Sequence, residues 1–277
     1  MALIHIENVS VAYGSPSRPV LSNVDLSIEE GEFVCLLGQT GCGKSTLLRL
    51  VLGSERPAAG RVLIDGLERY QPDRTCGFVP QKYSLFPDKT VLGNITFGPE
   101  VNEFNLLTRL TPRYFRRRRE FWQEAMLYVR RFGLQDADAG KYPDQLSGGM
   151  QQRVAIAQAL INKPRILLLD EAFSALDPGT RKDMQRLIRQ LWRDTGITVL
   201  FVTHNTQEAL YLSSRVIVLA KEAPDRGSRI ALELPVPELC PEVQISTLVM
   251  RLDFASGCTR EPEDAALATA KYLGPAQ

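Results

Sequence analysis

The apolar residues of this chain fall into two rhythms. In the first, short runs rich in valine, isoleucine and leucine stand between turn signals, at 24–28, 33–37, 61–64, 76–79, 165–169, 198–202 and 215–219. Runs this short, almost wholly apolar at 33–37, 165–169 and 198–202, read as buried strands. Residues 2–11 alternate more loosely and read as an edge strand. In the second rhythm, apolar residues recur at spacings of three and four. This pattern fills a Leu-, Arg- and Gln-rich stretch at 88–163, which reads as mainly helical. A further helix is expected from about 178 to 193.

Short strands alternating with helices predict an α/β fold, a parallel sheet with helices packed against it. The block at 88–163 is then a helical insertion between its strands. The main domain is expected over 1–222 and a C-terminal extension over 223–277. That tail is punctuated by Pro224, Pro235, Pro237, Pro241 and Pro262 and lacks strong periodicity. Within it, 261–273 reads as one short helix, opened by Pro262 and ended by Gly274-Pro275.

Composition narrows the setting. With 277 residues, 44% hydrophobic and 23% charged, the chain is expected to be globular with a substantial core. A net charge of +1 gives the whole chain no bias toward nucleic acid, which is not an expected partner. Cys35, Cys42, Cys76, Cys240 and Cys258 form no C-x-x-C pair and no disulfide spacing. The first residues carry no signal-peptide pattern, so a reduced, cytosolic setting is expected. No apolar run approaches the ~18–20 residues of a spanning helix. The chain is expected not to cross a membrane, though it can dock on something that does.

The strand at 33–37 leads into Gly38-Gln39-Thr40-Gly41-Cys42-Gly43-Lys44-Ser45-Thr46, and the apolar residues 47–52 follow as a helix. This is G-x-x-x-x-G-K-[ST], the phosphate-binding loop or Walker A, in the strand–loop–helix context the motif needs. Glycines let the chain curl so that successive N–H groups form a nest for phosphate oxygens. The helix N-terminus adds unpaired donors and a positive dipole end. Lys44 is placed to reach the β- and γ-phosphates, and the Ser45 hydroxyl to bind Mg²⁺. Cys42 is read as a small loop residue, although a helix N-terminus can lower a thiol pKa.

Asp170-Glu171 close the apolar run at 166–169 in a Walker B pattern. Parallel α/β sheets bind ligands at the carboxyl ends of their strands. Asp170 can hold Mg²⁺, and Glu171 can orient a water and accept its proton. Two acids after a strand are also an ordinary solvated strand end; the phosphate loop upstream decides between the readings. Leu146-Ser147-Gly148-Gly149-Met150-Gln151-Gln152 opens another helix. It is either a second anion site or a helix capped by Ser147. One nucleotide has no use for two phosphate cradles from one chain. Two chains do, if each lends a cradle to the other's nucleotide.

Residues 146–152 resemble the signature motif of ATP-binding cassette (ABC) proteins. The order of the remaining motifs fits: Tyr13, Walker A, Gln81, signature, Walker B, Ser174-Ala175-Leu176-Asp177, then Thr203-His204. The resemblance covers about residues 3–220. It implies a P-loop NTPase fold, with a RecA-like core, an antiparallel β subdomain and a helical signature subdomain. It further implies a head-to-tail dimer around two ATP with Mg²⁺. On this resemblance Tyr13 stacks on adenine, and Gln81 binds Mg²⁺ and touches the attacking water. Ser147, Gly148, Gly149 and Gln151 reach the partner's nucleotide. Asp177 crosses the dimer interface and can also cap the helix opening at Pro178. His204 contacts the γ-phosphate. Catalysis falls to Glu171, His204, Gln81 and Lys44; Ser45, Gln81 and Asp170 take the metal. Ala172, Gln158 and Asn205 depart from the commonest pattern, and none removes a catalytic group. His5, the only other histidine, is read as structural.

A single cassette without sustained heptads favours a transporter subunit over a soluble ATPase of repair or translation. The ATPase subunit of an exporter is the other alternative. The variants at 41–46, 173–177 and 208–209 resemble bacterial importers, and among them the nitrate, sulfonate and taurine group. The implied partners are a second copy or paired cassette subunit, integral membrane permease subunits and, indirectly, a periplasmic or surface solute-binding protein. The implied place is the cytoplasmic face of the inner membrane. One segment stands apart: residues 109–131 hold eight arginines and two acids, a local net charge of +6. It reads as a solvated helix face, with Trp122, Ala125, Met126 and Val129 packed inward. The same mixture suits anionic headgroups or membrane-protein loops, and also RNA.

Overall fold

The computed structural model describes residues 2–14, 18–82, 85–105, 108–221 and 226–237, with 248–249, 251–252 and 255. The helix expected at 261–273 lies outside the described residues. In chain order the elements are β1 (Ala2–Tyr13), β2 (Arg18–Glu29), β3 (Phe33–Leu37), α1 (Lys44–Leu52), β4 (Ala59–Ile64), β5 (Leu67–Glu68) and β6 (Cys76–Val79). There follow α2 (Val91–Glu103), α3 (Pro112–Arg131), α4 (Gly148–Leu160), β7 (Ile166–Asp170), α5 (Pro178–Thr195), β8 (Thr198–Thr203), α6 (Thr206–Leu212), β9 (Arg215–Lys221) and β10 (Ser228–Pro235). The chain divides into two compact units, 1–70 with 202–277 and 71–201.

The first unit is built on strands in the order β5-β4-β1-β2-β10-β9-β3. β1 pairs antiparallel with β2 on one side and with β4 on the other. It is therefore an internal strand, which corrects the edge-strand expectation. Its loose alternation comes from register shifts around Ile6, Val9 and Val11, where Asn8 sits at φ +49°. Bulges of this kind disturb the two-residue period without opening an edge. His5 donates to or accepts from the Ser27 hydroxyl at 3.1 Å, a structural role. β3 is buried along its whole length and pairs parallel with β9. An all-apolar run is what a strand covered on both faces requires.

β10 lies inside the expected tail, yet it belongs to this sheet. It pairs antiparallel with β9 and touches β2 in parallel. The sheet thus continues past residue 222. Ser228 and Leu234 point inward while the exposed side carries Arg229 and Pro235. The prolines hid this period-two run, but Pro235 sits at its last position, where the ladder tolerates it.

In the second unit β6 and β7 run parallel, and β8 follows β7 in the order β8-β7-β6. Gly77 on β6 faces α4 so closely that an added Cβ would lie 2.6 Å from the Ala159 carbonyl oxygen. The helical block consists of α2, α3 and α4 with short 3-10 turns between them. α3 buries Tyr114, Phe121, Ala125 and Val129. Ala125 and Val129 pack inward as expected and Met126 is half-buried, but Trp122 is 40% exposed and Phe121 takes its inward place. The spacing of four from Phe121 to Ala125 to Val129 keeps that stripe on a single side of the helix. Phe104, Tyr114 and Phe121 form a small aromatic cluster, with Phe104 and Tyr114 edge to face at 5.2 Å. α5 buries Met184, Ile188 and Leu191, half-buries Leu187 and Trp192, and turns charged residues such as Lys182, Asp183 and Arg186 outward. No described helix is long and apolar enough to cross a membrane.

Candidate functional site

In the first unit β3 ends at Leu37, and residues 38–43 turn the chain into α1. Gly41 and Gly43 hold φ of +80° and +97°, a region glycine enters without strain. Gly38 is required by close approach: an added Cβ would lie 2.4 Å from the Leu219 carbonyl oxygen. α1 takes Gly43 as its N-cap and has no side-chain cap and no acid in its first turn. Its N-terminal end therefore keeps its positive dipole end for an anion. Lys44 is buried, and its ammonium donates to the carbonyl oxygens of Gly38 at 2.7 Å and Gln39 at 3.0 Å. The cation is stored on the loop itself. Gln39, Thr40 and Gly41 are exposed, Ser45 is half-buried, and Gly38, Cys42 and Thr46 are buried.

The Cys42 thiol lies 3.9 Å from the Lys44 ammonium. Burial pushes its pKa up, and the pull of Lys44 downward is the smaller effect. Burial thus disfavours the thiolate form of this small loop residue. Tyr13 ends β1 and is 42% exposed. Its hydroxyl donates to the Glu55 carboxylate and lies 3.4 Å from the Thr46 hydroxyl. Burial, then the bond to Glu55, raises the phenol pKa. The ring is thereby tied to the first turn of α1. Glu55 carries no motif, and the sequence reading passed over it.

His204 is exposed in the turn from β8 to α6. That turn is fixed on both sides of it. The Thr203 hydroxyl donates to the buried Glu208 carboxylate, and the Asn205 side chain accepts from the Glu208 N–H at 3.0 Å. Asn205 thus caps α6 as an aspartate would.

In the second unit the parallel pair β6 and β7 brings two strand ends together. Gln81 lies two residues beyond β6, and Asp170 ends β7. Glu171 has φ +44°, a left-handed conformation rare for a long side chain and costing of order 1–3 kcal/mol. In that conformation its carboxylate accepts from the Gln81 side-chain amide at 3.0 Å. Asp170 and Glu171 are both half-buried.

Two helix starts also meet in this unit. The Ser147 hydroxyl accepts from the Met150 N–H at 3.3 Å, capping α4. Gly148 is exposed. At Gly149 an added Cβ would lie 2.6 Å from a methyl carbon of Thr180, near the start of α5. Asp177 caps α5, accepting from the Gly179 and Thr180 N–H groups at 3.1 and 3.0 Å. Hydrogen bonds from Thr180, side chain first and backbone next, hold its carboxyl below the usual range. Gly149 and Asp177 thus both lie against Thr180, and Ser147 caps the helix that Gly149 opens. Gln151 also has partners within its own chain. Its amide nitrogen donates to the carbonyls of Pro143 at 2.8 Å and Leu146 at 3.3 Å, anchoring the loop before α4.

The donor set fits a polyphosphate with a hard cation. The loop offers left-handed glycines, an uncapped helix start and a stored ammonium. Ser45 in the first unit, and Gln81 and Asp170 in the second, each carry a side-chain oxygen of the kind Mg²⁺ prefers.

Known proteins resemble this chain along most of its length. A family model described as ABC transporter matches residues 21–174. The chain is 39% identical over 262 residues to the spermidine/putrescine import ATP-binding protein PotA of Haemophilus ducreyi, covering 91% of this chain and 67% of that protein. It is 36% identical over 236 residues to the aliphatic sulfonates import ATP-binding protein SsuB of Bacillus cereus, covering 84% and 88%. A solved dimeric ATP-binding cassette in a post-hydrolysis state, bound to ADP and Pi, matches with a TM-score of 0.71 at 32% identity. That match covers 85% of this chain and all of the other.

Proposed function

The chain belongs to the ABC transporter family of ATPases, and from that premise we propose that it is the ATP-hydrolysing subunit of an importer for a small solute. The observation that carries the catalytic part is the Gln81–Glu171 hydrogen bond at the paired ends of β6 and β7. Glu171 is the proton acceptor for the attacking water. Gln81 holds its carboxylate in line, and the left-handed backbone at Glu171 fixes the approach. Lys44 exchanges the carbonyls of Gly38 and Gln39 for phosphate oxygens, and the loop N–H groups cradle the rest. His204, on a turn locked by Thr203, Asn205 and Glu208, contacts the terminal phosphate. Tyr13 offers its ring to the base while Glu55 holds its hydroxyl. Ser45, Asp170 and Gln81 are the residues that would hold Mg²⁺, which would supply neutralising charge to the phosphates.

Two copies act together in this reading. The solved cassette that this chain resembles is dimeric. The contact of Gly149 and Asp177 with Thr180, which brings the starts of α4 and α5 together, supports one edge that faces a second copy and its ATP. Separate permease subunits then hold the chain at the cytoplasmic face of the membrane. The two import relatives named above carry solutes of opposite charge, a polyamine and a sulfonate. The solute is therefore selected by other chains. A nitrogen- or sulfur-containing solute such as a sulfonate fits the sulfonate-import relative. The nucleotide-binding domain extends through β10, and the C-terminal extension begins after it.

Glu171→Gln tests the assignment. It should bind ATP about as tightly as the parent, hydrolyse it at least ~100-fold more slowly, and accumulate as an ATP-bound dimer in size-exclusion chromatography. Turnover like the parent's would overturn the reading.

A further inference from the structure

α3 carries more positive charge than its surroundings neutralise. Residues 109–131 have a net charge of +6 in a chain whose total is +1. The acids around this helix are taken up by four of its arginines and by Lys163. Glu103 and Glu120 take Arg117 at 3.0 and 2.6 Å. Glu100 takes Arg118 at 3.4 Å, and Glu124 takes Lys163 at 2.7 Å. Arg130 and Arg131 pair with Asp136 and Asp194. Arg113, Arg116 and Arg119 are exposed and make no ion pair among the described residues. Spaced three apart, they form a ladder along the helix, away from the buried stripe of Tyr114, Phe121 and Ala125.

Bulky apolar groups stand beside that ladder. Phe115 is 62% exposed, Trp122 40% and Leu110, in the turn before α3, 82%. Phe115, Arg119 and Trp122 are four and three apart and so share one face. The Arg118 guanidinium covers the Trp122 ring at 4.8 Å. The face is preformed: the aromatic cluster of Phe104, Tyr114 and Phe121 lies beneath it, and the paired arginines brace its flank.

Guanidinium groups bind phosphate oxygens in a fixed fork, and aromatic rings favour the headgroup layer of a bilayer. Leu110 decides between lipid and nucleic acid. An exposed aliphatic side chain stacks on no base but partitions into lipid. We infer that the α3 face formed by Phe115, Arg116, Arg119 and Trp122, with Arg113 and Leu110 at its N-terminal rim, docks on anionic phospholipid headgroups. The inference takes from the importer reading that the chain works at a membrane; it does not depend on ATP hydrolysis.

The test uses the full chain and protein-free vesicles of phosphatidylcholine, with or without about 30% phosphatidylglycerol. Co-sedimentation should occur with the anionic vesicles only and weaken as salt is raised. Each arginine near an anionic surface is worth about fivefold in partitioning, so joint replacement by Arg113→Gln, Arg116→Gln and Arg119→Gln should weaken binding on the order of 100-fold. Phe115→Ser should weaken it less. With Trp192→Phe, Trp122 is the only tryptophan left, and its emission should shift to the blue on anionic vesicles. Absence of binding to anionic vesicles, equal binding to neutral ones, or unchanged binding by the triple variant would overturn the inference. So would tighter, salt-sensitive binding of a single-stranded RNA oligonucleotide to the same arginines. The triple variant should keep the parent's circular dichroism and basal ATP hydrolysis. Hydrolysis measured on the parent chain reports on the proposed function alone.

Discussion

Three helices that sequence motifs place near phosphate begin in three different ways. α1 starts at Gly43 with no side-chain cap, so its cradle is open. α4 starts at Ser147, whose oxygen accepts from Met150 while its hydroxyl proton remains to be donated. α5 starts at Asp177, whose carboxylate already fills the end of the helix. A glycine start leaves room for a foreign anion. A serine start caps its own helix and aims one donor outward. An aspartate start supplies its own anion and excludes another. Under the proposed function the phosphate loop would do the primary binding and Ser147 would add one donor. Asp177 would then act through its shape and charge and not as a phosphate cradle.

The largest expected effect removes the cation of the open start. Lys44→Ala should weaken ATP binding by on the order of 100-fold or more, the worth of two charge-assisted hydrogen bonds. Calorimetric titration measures it, and retained tight binding would mean that the open helix end suffices alone. Ser147→Ala comes next. It should cost about 1 kcal/mol of stability as a lost cap, and lower ATP turnover about tenfold as a lost donor. Reduced stability with unchanged turnover would make α4 a capped helix and nothing more. The smallest effect belongs to Asp177. Its carboxyl is held below the usual range, so the unfolded chain binds that proton more readily. Its contribution to stability is present above about pH 4 and is lost as pH falls through the depressed folded value. Asp177→Ala should lower the unfolding midpoint at neutral pH, and the difference from the parent should vanish in strong acid. Asp177→Asn, still a good cap, should leave the midpoint near the parent's. A pH-independent loss in the alanine variant would show that the carboxylate does not cap by charge.

The strands around the loop were legible because their signals are local. An all-apolar run, a glycine series and a lysine need no distant partner to be read. The misreadings came from places where a distant residue decides. Glu55 holds Tyr13 across 42 positions of chain, with no motif to announce it. β1 looked like an edge because bulges blurred its alternation, although strands lie on both sides. β10 was hidden by prolines that fall at or beyond its end. On α3 Phe121 takes the inward place expected of Trp122, and only the packing against Phe104 and Tyr114 selects between them. Gln151 lies inside a recognisable motif, yet its amide also has partners in its own chain, the carbonyls of Pro143 and Leu146. The Cys42 thiol follows the same lesson: the helix start alone would lower its pKa, and burial overrides it.

A tilt of α4 about its contact with Gly77 would work as a lever. Its fulcrum lies near Ala159, where strand backbone and helix backbone touch with no side chain between them. Ser147 lies twelve residues away, about 18 Å along the axis. A tilt of about ten degrees at the fulcrum therefore carries the serine through roughly 3 Å, the length of one hydrogen bond. The absent side chain at Gly77 leaves the strand pressed directly on the pivot, so a small rotation there becomes a made or broken contact at the far end.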